Sequence, residues 1–209
     1  MREKGDIMTT EPMTVPPAPS YPVRLTVEYP EKLSRLLNNI PYLKLILVIP
    51  HAIILMVLGF LVYVVYVISF FAILFSGRYP RGMFDFYVNV QRWGINLNTY
   101  VFMLRDDYPP FSGEAGKYPP VTYEVDYPET SSRLLLFVRW FLIIPHIVVL
   151  FFLILAWLVV YFISWWTILF TGSYPRGLFD FSVGVFRWTY RVNAYAYFLT
   201  DQYPPFSMK

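Results

Sequence analysis

The chain has 209 residues, of which 56% are hydrophobic, 21% are aromatic and only 15% are charged. Soluble domains usually carry about 25% charged residues, so this composition indicates a membrane protein. The lack of cysteine excludes disulfides, thiolate metal sites and cysteine nucleophiles, and the formal net charge of +3 is too small to indicate nucleic-acid binding.

Residues 1–20 are polar and rich in proline, without the apolar core or cleavage site of a signal peptide, and we expect a disordered tail there. The rest of the chain repeats itself. A shift of 95 residues places Pro50-His51 on Pro145-His146, and it does the same for several longer motifs. An internal repeat of this length marks a duplicated structural unit. The predicted domains are the tail at 1–20, repeat 1 at 21–111, a linker at 112–117, repeat 2 at 118–206 and a C-terminal end at 207–209.

Each repeat begins with a stretch in which apolar and polar residues alternate, at 23–27 in the first copy and 121–125 in the second. A period of two, closed by Tyr-Pro, is typical of a β-strand. One short strand is unstable alone. We therefore predict that the two strands pair antiparallel, as a two-fold axis between the repeats would require. An extended, proline-flanked linker is the alternative.

A long apolar run follows in each repeat, with no charged residue from Leu45 to Phe75 or from Trp140 to Tyr174. About twenty apolar residues can cross a hydrocarbon core of about 30 Å, so each run predicts a transmembrane helix. Pro50 and Pro145 predict a kink in each helix, with a short interfacial helix bent into a spanning helix of about 25 residues.

The long helices are predicted to end at Gly77 and Gly172, because each glycine is followed by residues that include Tyr-Pro, which stop a helix. The chain then turns into "YPRG" in both copies. Arg81 and Arg176 would consequently lie among lipid headgroups.

The second helix of each repeat is aromatic and carries one polar stripe, because its polar residues recur at spacings of four and three. In the first copy the stripe consists of Asp85, Asn89, Arg92, Asn96 and Thr99. The equivalent positions of the second copy are Asp180, Gly184, Arg187, Arg191 and Ala194. Such a helix either spans the membrane with its stripe against a partner helix or lies flat in the interface.

The distribution of lysine and arginine separates these arrangements. With four passes, eleven of the 17 basic residues fall in the N-terminal region, the 105–139 connection and the C-terminus, and three fall in the "YPRG" turns. With two passes the split is ten to seven. Because basic residues accumulate on the cytoplasmic side, four passes are predicted, with the N-terminus, linker and C-terminus cytoplasmic.

The predicted fold is an all-α membrane protein in the cell inner membrane, built as a tandem repeat with pseudo-two-fold symmetry. Each repeat would consist of a short strand, a long kinked transmembrane helix and an aromatic amphipathic helix. The alternative is two passes plus two interfacial helices, because an arginine at mid-bilayer costs about 2.5–3.5 kcal/mol.

The shared motifs are Pro-His, "YPRG-x-FDF", "RW" and "YPPF", each present in both copies, and the second of them lies within "SGRYPRGMFDF" in the first copy and "TGSYPRGLFDF" in the second. In this combination the chain resembles the bacterial membrane domain catalogued as domain of unknown function 4389, present here twice. The resemblance covers nearly the whole chain outside the tail. It implies an integral membrane protein and no established activity.

The aspartates and arginines of the polar stripe are the first candidate site. Asp85 and Arg92 are too far apart along one helix to pair directly, and so are Asp180 and Arg187. Across a two-fold axis, Asp85 would meet Arg187 and Asp180 would meet Arg92. The resulting seam would either hold a proton, an ion or an anionic headgroup, or act as a structural clasp between the repeats.

His51 and His146 are the two histidines of the chain and occupy equivalent positions in the repeats. Two such histidines could ligate a haem or a metal between helices, or each could hold a pigment or lipid. A histidine after a proline near a helix bend can also simply bond a free carbonyl. No cofactor and no metal is predicted.

Nucleotide-binding glycine loops, Ser-His-acid sets and carboxylate dyads are missing from the sequence, so no enzymatic activity is expected. The predicted function is that of a non-catalytic accessory or scaffold subunit, which packs against a larger membrane complex or a copy of itself. Alternatives are a small transporter, channel or lipid-binding protein that uses the Asp/Arg seam, and a haem- or pigment-binding subunit. The expected partners are the lipid bilayer and another membrane protein.

Overall fold

The computed structural model describes residues 21–209, so the predicted tail at 1–20 lies outside the described residues. Each repeat supplies one strand, one very long helix and one helix of 21 residues. In chain order the elements are β1 (Val23–Val27), α1 (Arg35–Asn39), α2 (Pro41–Ser76), α3 (Arg81–Val101), β2 (Val121–Val125), α4 (Leu135–Thr171) and α5 (Arg176–Ala196).

Strands β1 and β2 form the predicted antiparallel pair, in a register that places Leu25 opposite Tyr123. Alternation along the strands turns Val23, Leu25 and Tyr123 into the core. The opposite face of the sheet carries Arg24, which donates to the Asp126 carboxylate at 2.6 and 2.8 Å. These hydrogen bonds hold the pKa of Asp126 below its usual value. The sheet therefore has one buried apolar face and one exposed charged face.

Two helices among residues 21–209 are long and apolar enough to cross a membrane: Leu43–Ser76, which is most of α2, and Leu135–Thr171, which is α4. Their most apolar windows are only 11% and 17% buried, so neither is the core helix of a globular domain. Helices α3 and α5 do not meet the same criterion, because their polar stripes lower their apolar content. Two helices of the described residues, rather than the predicted four, are therefore candidate spans.

Both long helices continue unbroken through Pro50 and Pro145. The apolar run of each repeat is consequently one helix from before the proline to the exit turn, and the interfacial segment expected ahead of the proline is part of it. The predicted ends are confirmed, since Gly77 and Gly172 cap α2 and α4 with φ values of 70° and 73°. Glycine adopts this left-handed conformation without the strain that a Cβ would introduce.

Helices α3 and α5 lie at the centre of the molecule, between the sheet and the long helices. On α3, Arg92 faces the sheet and bonds Tyr123, whereas the next residue, Trp93, faces α2 and bonds His51. Successive residues of a helix point about 100° apart, so the sheet and α2 contact different sides of α3. The sheet and the long helices are thus separate layers with α3 and α5 between them.

In each repeat, the segment between the strand and the long helix contacts the end of the other repeat's long helix. The Leu33 amide donates to the Gly172 carbonyl at 2.8 Å, and the Ser131 amide donates to the Gly77 carbonyl at 2.9 Å. These bonds satisfy carbonyls that a helix leaves free at its last turn. The repeats are therefore interlocked, with strands and helix ends exchanged between them.

Candidate functional site

Arg92 and Arg187, the arginines of the predicted polar seam, both hold the sheet. Arg92 Nε donates to the Tyr123 carbonyl at 3.0 Å, and Arg187 Nε donates to the Leu25 carbonyl at 3.0 Å. Each arginine therefore reaches from one repeat to the strand of the other. Burial lowers the pKa of the Arg92 guanidinium. A clasp between the repeats does exist, but its acceptors are backbone carbonyls.

The predicted cross-repeat ion pairs, Asp85 with Arg187 and Asp180 with Arg92, are wrong. Asp85 accepts a hydrogen bond from Arg81 at 3.1 Å, one helical turn before it, and Asp180 accepts one from Arg176 at 3.2 Å. All four side chains of these pairs are more than half exposed. The aspartates lie near the exposed start of each helix, whereas the seam arginines point at the sheet further along.

The arginines predicted to contact headgroups are also anchored across the repeats. The guanidinium of Arg81 lies 4.5 Å from the ring centre of Tyr127, and that of Arg176 lies 4.7 Å from the ring centre of Tyr29. Each cation therefore combines an i,i+4 carboxylate with an aromatic face from the other repeat. This arrangement orients the "YPRG" turns on the charged side of the molecule.

A different set of polar side chains joins α3 to α5. The Tyr87 hydroxyl and the Gln91 amide both donate to Asn193 Oδ1, at 2.8 and 2.5 Å. Asn98, the repeat equivalent of Asn193, donates to the Tyr190 hydroxyl at 2.8 Å. These uncharged residues form the polar contact between the two central helices that the sequence reasoning assigned to the Asp/Arg stripe.

Two clefts flank the sheet, with volumes of about 560 and 490 Å³. The lining of the larger includes Arg24, Arg81, Asp85, Arg92, Glu124 and Asp126. The smaller, at the other end of the sheet, is lined in part by Arg176, Asp180, Arg187 and Lys209. Both clefts thus contain the predicted seam residues, but as open surfaces of mixed charge.

Beside Arg92 and beside Arg187, the central helix lies so close to the segment at the end of its own repeat that one of the two must carry a glycine. A Cβ on Gly113 would lie only 1.7 Å from the Asn89 carbonyl oxygen, and a Cβ on Gly184 would lie 2.8 Å from Met208 Cβ. Gly113 corresponds to Met208 in the repeat, and Asn89 corresponds to Gly184. The glycine is on the loop in repeat 1 and on the helix in repeat 2, so the same close contact forms in both.

His51 and His146 are fully buried, each in an aromatic cage of its own repeat. The indole of Trp93 donates to His51 Nδ1 at 2.8 Å, and the indole of Trp188 donates to His146 Nδ1 at 3.0 Å. Phe111 stacks on His51, with ring centres 3.9 Å apart. The same stacking recurs between His146 and Phe206 at 4.0 Å.

The tryptophan hydrogen bonds determine which histidine nitrogen carries the proton. An Nδ1 atom that accepts an indole N–H has no proton, so the neutral ring is protonated at Nε2. A metal ligated by Nε2 needs that atom unprotonated, with the proton on Nδ1, where the tryptophan already donates. Within residues 21–209 no three His, Cys, Asp or Glu side chains assemble as a metal site. The geometry fits histidines that tie helices together.

A pair of buried cations, which sequence reasoning missed, occupies equivalent positions near the starts of the long helices. Lys44 Nζ donates to the carbonyls of Tyr100 and Arg105, at 2.8 and 3.1 Å, and to Asp106 at 3.1 Å. These carbonyls lie at and beyond the end of α3, where a positive charge complements the helix dipole. Lys44 therefore caps α3 from a neighbouring helix.

Arg139 does the same for α5. It donates to the Tyr195 and Thr200 carbonyls and forms an ion pair with Asp201 at 2.6 Å. The available signal was that Lys44 and Arg139, like Asp106 and Asp201, are separated by the 95-residue repeat shift. Charges retained at equivalent positions of otherwise apolar runs indicate a shared structural role.

Comparison with protein families identifies a family match. The model of the family described as "Domain of unknown function (DUF4389)" matches residues 41–113 and again residues 133–208. Comparison with curated proteins and with solved structures gives no match. The two matched segments contain the long helix, the central helix, the histidine cage and the buried cation of each repeat. The chain therefore belongs to the DUF4389 family and carries its domain in two tandem copies.

Proposed function

We propose that this chain is a non-catalytic protein of the cell inner membrane that serves as an accessory or scaffold subunit for a larger membrane protein. Its N-terminus, linker and C-terminus would lie on the cytoplasmic side. The observation that carries the proposal is the outer surface of α2 and α4. Large apolar side chains are exposed along nearly the whole length of both helices. A surface of this extent is suited to lipid and to another membrane protein.

The two outer surfaces differ in a way that favours α4 as the partner-binding one. Four exposed phenylalanines on α4 occupy positions where α2 has methionine or an aliphatic side chain. Phe141, Phe151, Phe152 and Phe162 correspond to Ile46, Met56, Val57 and Val67. Both sets suit lipid, but large aromatic side chains contribute more to protein–protein contacts. The duplication has thus produced two faces of similar hydrophobicity and different shape.

The contacts of the polar candidates support a structural role. Arg92, Arg187 and Arg139 bond backbone carbonyls, and the histidines bond tryptophan, so these groups are engaged inside the protein. Groups occupied in this way are poorly placed to bind a cargo or to transfer protons. The transporter, channel and haem hypotheses receive less support than the scaffold for this reason.

The first experiment is purification from the native membrane in a mild detergent, with mass spectrometry and an absorption spectrum of the same fraction. We expect a colourless complex with a stoichiometric larger membrane protein. A Soret band would favour the haem alternative. Purification as a monomer without a protein partner would refute the scaffold function.

A swap between the two helices tests the partner surface directly. Replacing Phe151→Met and Phe152→Val gives α4 the residues of α2 at equivalent positions, and we expect the partner to be lost. The matched control makes the reverse change on α2, Met56→Phe and Val57→Phe, and should leave the complex intact. Both variants remain apolar, so membrane insertion is unaffected. Equal retention of the partner in both would show that α4 is not the interface.

A second candidate, binding of a lipid headgroup, is favoured by the two clefts of mixed charge beside the sheet. Their arginine and carboxylate side chains complement a zwitterionic or anionic headgroup. Lipid analysis of the same purified fraction tests this, because a headgroup class enriched over the bulk membrane and lost in Arg81→Ala with Arg176→Ala would support it.

A further inference from the structure

We propose that α2 and α4 do not cross the bilayer but lie within one leaflet, parallel to the membrane plane, so that the protein meets the membrane with a single apolar face. The sheet, the clefts and the "YPRG" turns would then all lie on one side. The inference rests on the membrane location proposed above and concerns its geometry. It applies to a helix pair whose length alone would suggest two spans.

Each long helix is tied to both ends of the sheet. Beyond β1, the Tyr29 hydroxyl donates to the Tyr174 carbonyl after α4, and beyond β2 the Tyr127 hydroxyl donates to the Tyr79 carbonyl after α2. The start of α2 lies near the β1 exit as well, because Lys44 donates to the Arg105 carbonyl at 3.1 Å and Arg105 donates to the Glu28 carbonyl at 3.1 Å. The axis of α2 is therefore parallel to the axis of the strands, and α4 runs antiparallel to α2.

If the helices crossed the membrane, the symmetry between the repeats would place the sheet at a defined depth. Leu25 and Tyr123 face each other in the register and are equivalent in the two repeats. An axis relating the repeats thus passes between them. For two antiparallel spans such an axis lies at the middle of the bilayer, in the membrane plane. The centre of the sheet would then be level with the bilayer centre.

The charged face of the sheet is incompatible with that position. Arg24 and Glu124 are opposite each other, one residue from the axis, which is about 3.4 Å along a strand. The side chains of Arg24, Glu124 and Asp126 are 39%, 65% and 56% exposed. A charged side chain at mid-bilayer costs about 2.5–3.5 kcal/mol even on the mild insertion scale. Two spans would place several such charges there together.

With the helices parallel to the membrane, the axis stands along the membrane normal and the conflict disappears. Lys44, His51 and Ser69 of α2 point inward and are buried, while the exposed residues of α2 from Leu45 to Phe75 are uncharged. A helix about 10 Å wide fits the hydrocarbon of one leaflet, which is about 15 Å deep. The ten-to-seven split of basic residues, which gives two spans no clear orientation, also agrees with this arrangement.

The ends of α2 provide a decisive test, since the chain has no cysteine of its own. Lys32→Cys places a thiol before α2 and Arg78→Cys places one after it, both at exposed positions. Each full-length variant is labelled with a membrane-impermeant maleimide in right-side-out and in inverted membrane vesicles. We expect both thiols to react in the same vesicle type. Reaction in opposite vesicle types would overturn the proposal, whether the chain has two passes or four.

Depth measurements give an independent test that does not depend on vesicle orientation. Spin labels at Ile46, Phe60 and Phe71 lie on the outer face of α2, where these side chains are 61%, 68% and 50% exposed. We expect one common depth from the relative accessibility to oxygen and to a water-soluble nickel complex. A label at Phe60 that lies much deeper than one at Ile46, which is 14 residues or about 21 Å away, would show a crossing helix. A protein that stays in the supernatant without detergent would instead refute the membrane location itself.

Discussion

Lys44 and Arg139 show how one buried cation positions a whole helix end. Each is held by carbonyls at the end of a central helix and by one aspartate, with 6% and 1% of its side chain exposed. A charge withdrawn from water to this extent needs every one of these partners. Lys44 and Arg139 therefore stabilise helix ends as buried cations, whereas Arg81 and Arg176 form exposed ion pairs.

We expect Arg139→Leu to lower the free energy of unfolding by about 3–5 kcal/mol, because it leaves Asp201 and the end of α5 without their cation. Arg81→Leu removes an exposed i,i+4 pair and should cost at most about 1 kcal/mol. Unfolding of both variants in the same mild detergent measures the difference. Similar losses for the two would show that burial of Arg139 does not determine its contribution.

The tryptophan–histidine bond is the second contact whose role is decided by single residues. Trp93→Phe leaves His51 Nδ1 buried without a donor, and a loss of about 1–3 kcal/mol is expected. Adding His51→Phe removes the unpaired nitrogen and should recover part of the loss. A double-mutant cycle of unfolding free energies measures this coupling, and a coupling near zero would contradict the hydrogen bond as a source of stability.

At the scale of elements, the central helices α3 and α5 depend on the strand of the opposite repeat. Arg92 and Arg187 donate to backbone carbonyls of the opposite repeat's strand, and Gly113 and Gly184 let the segments beside these arginines approach closely. The polar stripes of α3 and α5 therefore face the sheet rather than lipid. The sequence predicted the strands of this sheet at the start of each repeat but not their contact with the stripes.

Arg92→Leu and Asp180→Leu test the corrected contacts. Arg92 bonds Tyr123 and Asp180 bonds Arg176, so the two changes act on separate contacts. Their losses in unfolding free energy should add to within about 0.5 kcal/mol. A double variant clearly more stable than this sum would revive the cross-repeat ion pair.

At the scale of the whole molecule, the exchange of strands and helix ends makes the repeats interdependent. Repeat 1 alone would leave Gly77, the exposed edge of β1 and the Tyr79 carbonyl without their partners from repeat 2. The folded unit is therefore the pair of repeats.

Splitting the chain at the exposed turn after Gly116 tests this interdependence. We expect residues 1–116 and 117–209, each expressed alone, to be degraded or aggregated, and the two expressed together to form a complex that survives mild-detergent purification. Gly116 lies in the turn between α3 and β2, so a break there disturbs no helix or strand. A stable, monodisperse single half would show that one repeat folds independently.

The sequence by itself determined the local features of this protein. Alternation identified both strands, the charge-free runs identified both long helices, and glycine with Tyr-Pro identified their ends, because each of these depends on residues close together in the chain. The repeat shift also indicated that the strands pair with each other. The family followed from the same motifs.

Only the tertiary structure decided what the polar residues contact. The stripe of α3 has the period of a helix that could face another helix, water or a sheet, and its spacing cannot distinguish these. The strand carbonyl that Arg92 bonds lies 31 residues away, the tryptophan that bonds His51 lies 42 residues away, and the nearest carbonyl that Lys44 bonds lies 56 residues away. These sites in the sheet, the aromatic cage and the helix end exist only after folding. The count of basic residues favoured four passes, whereas two helices of residues 21–209 are long and apolar enough to span a membrane, because the polar stripes lower the apolar content of α3 and α5. Contacts between distant elements, rather than composition, place the charged face of this molecule opposite its apolar one.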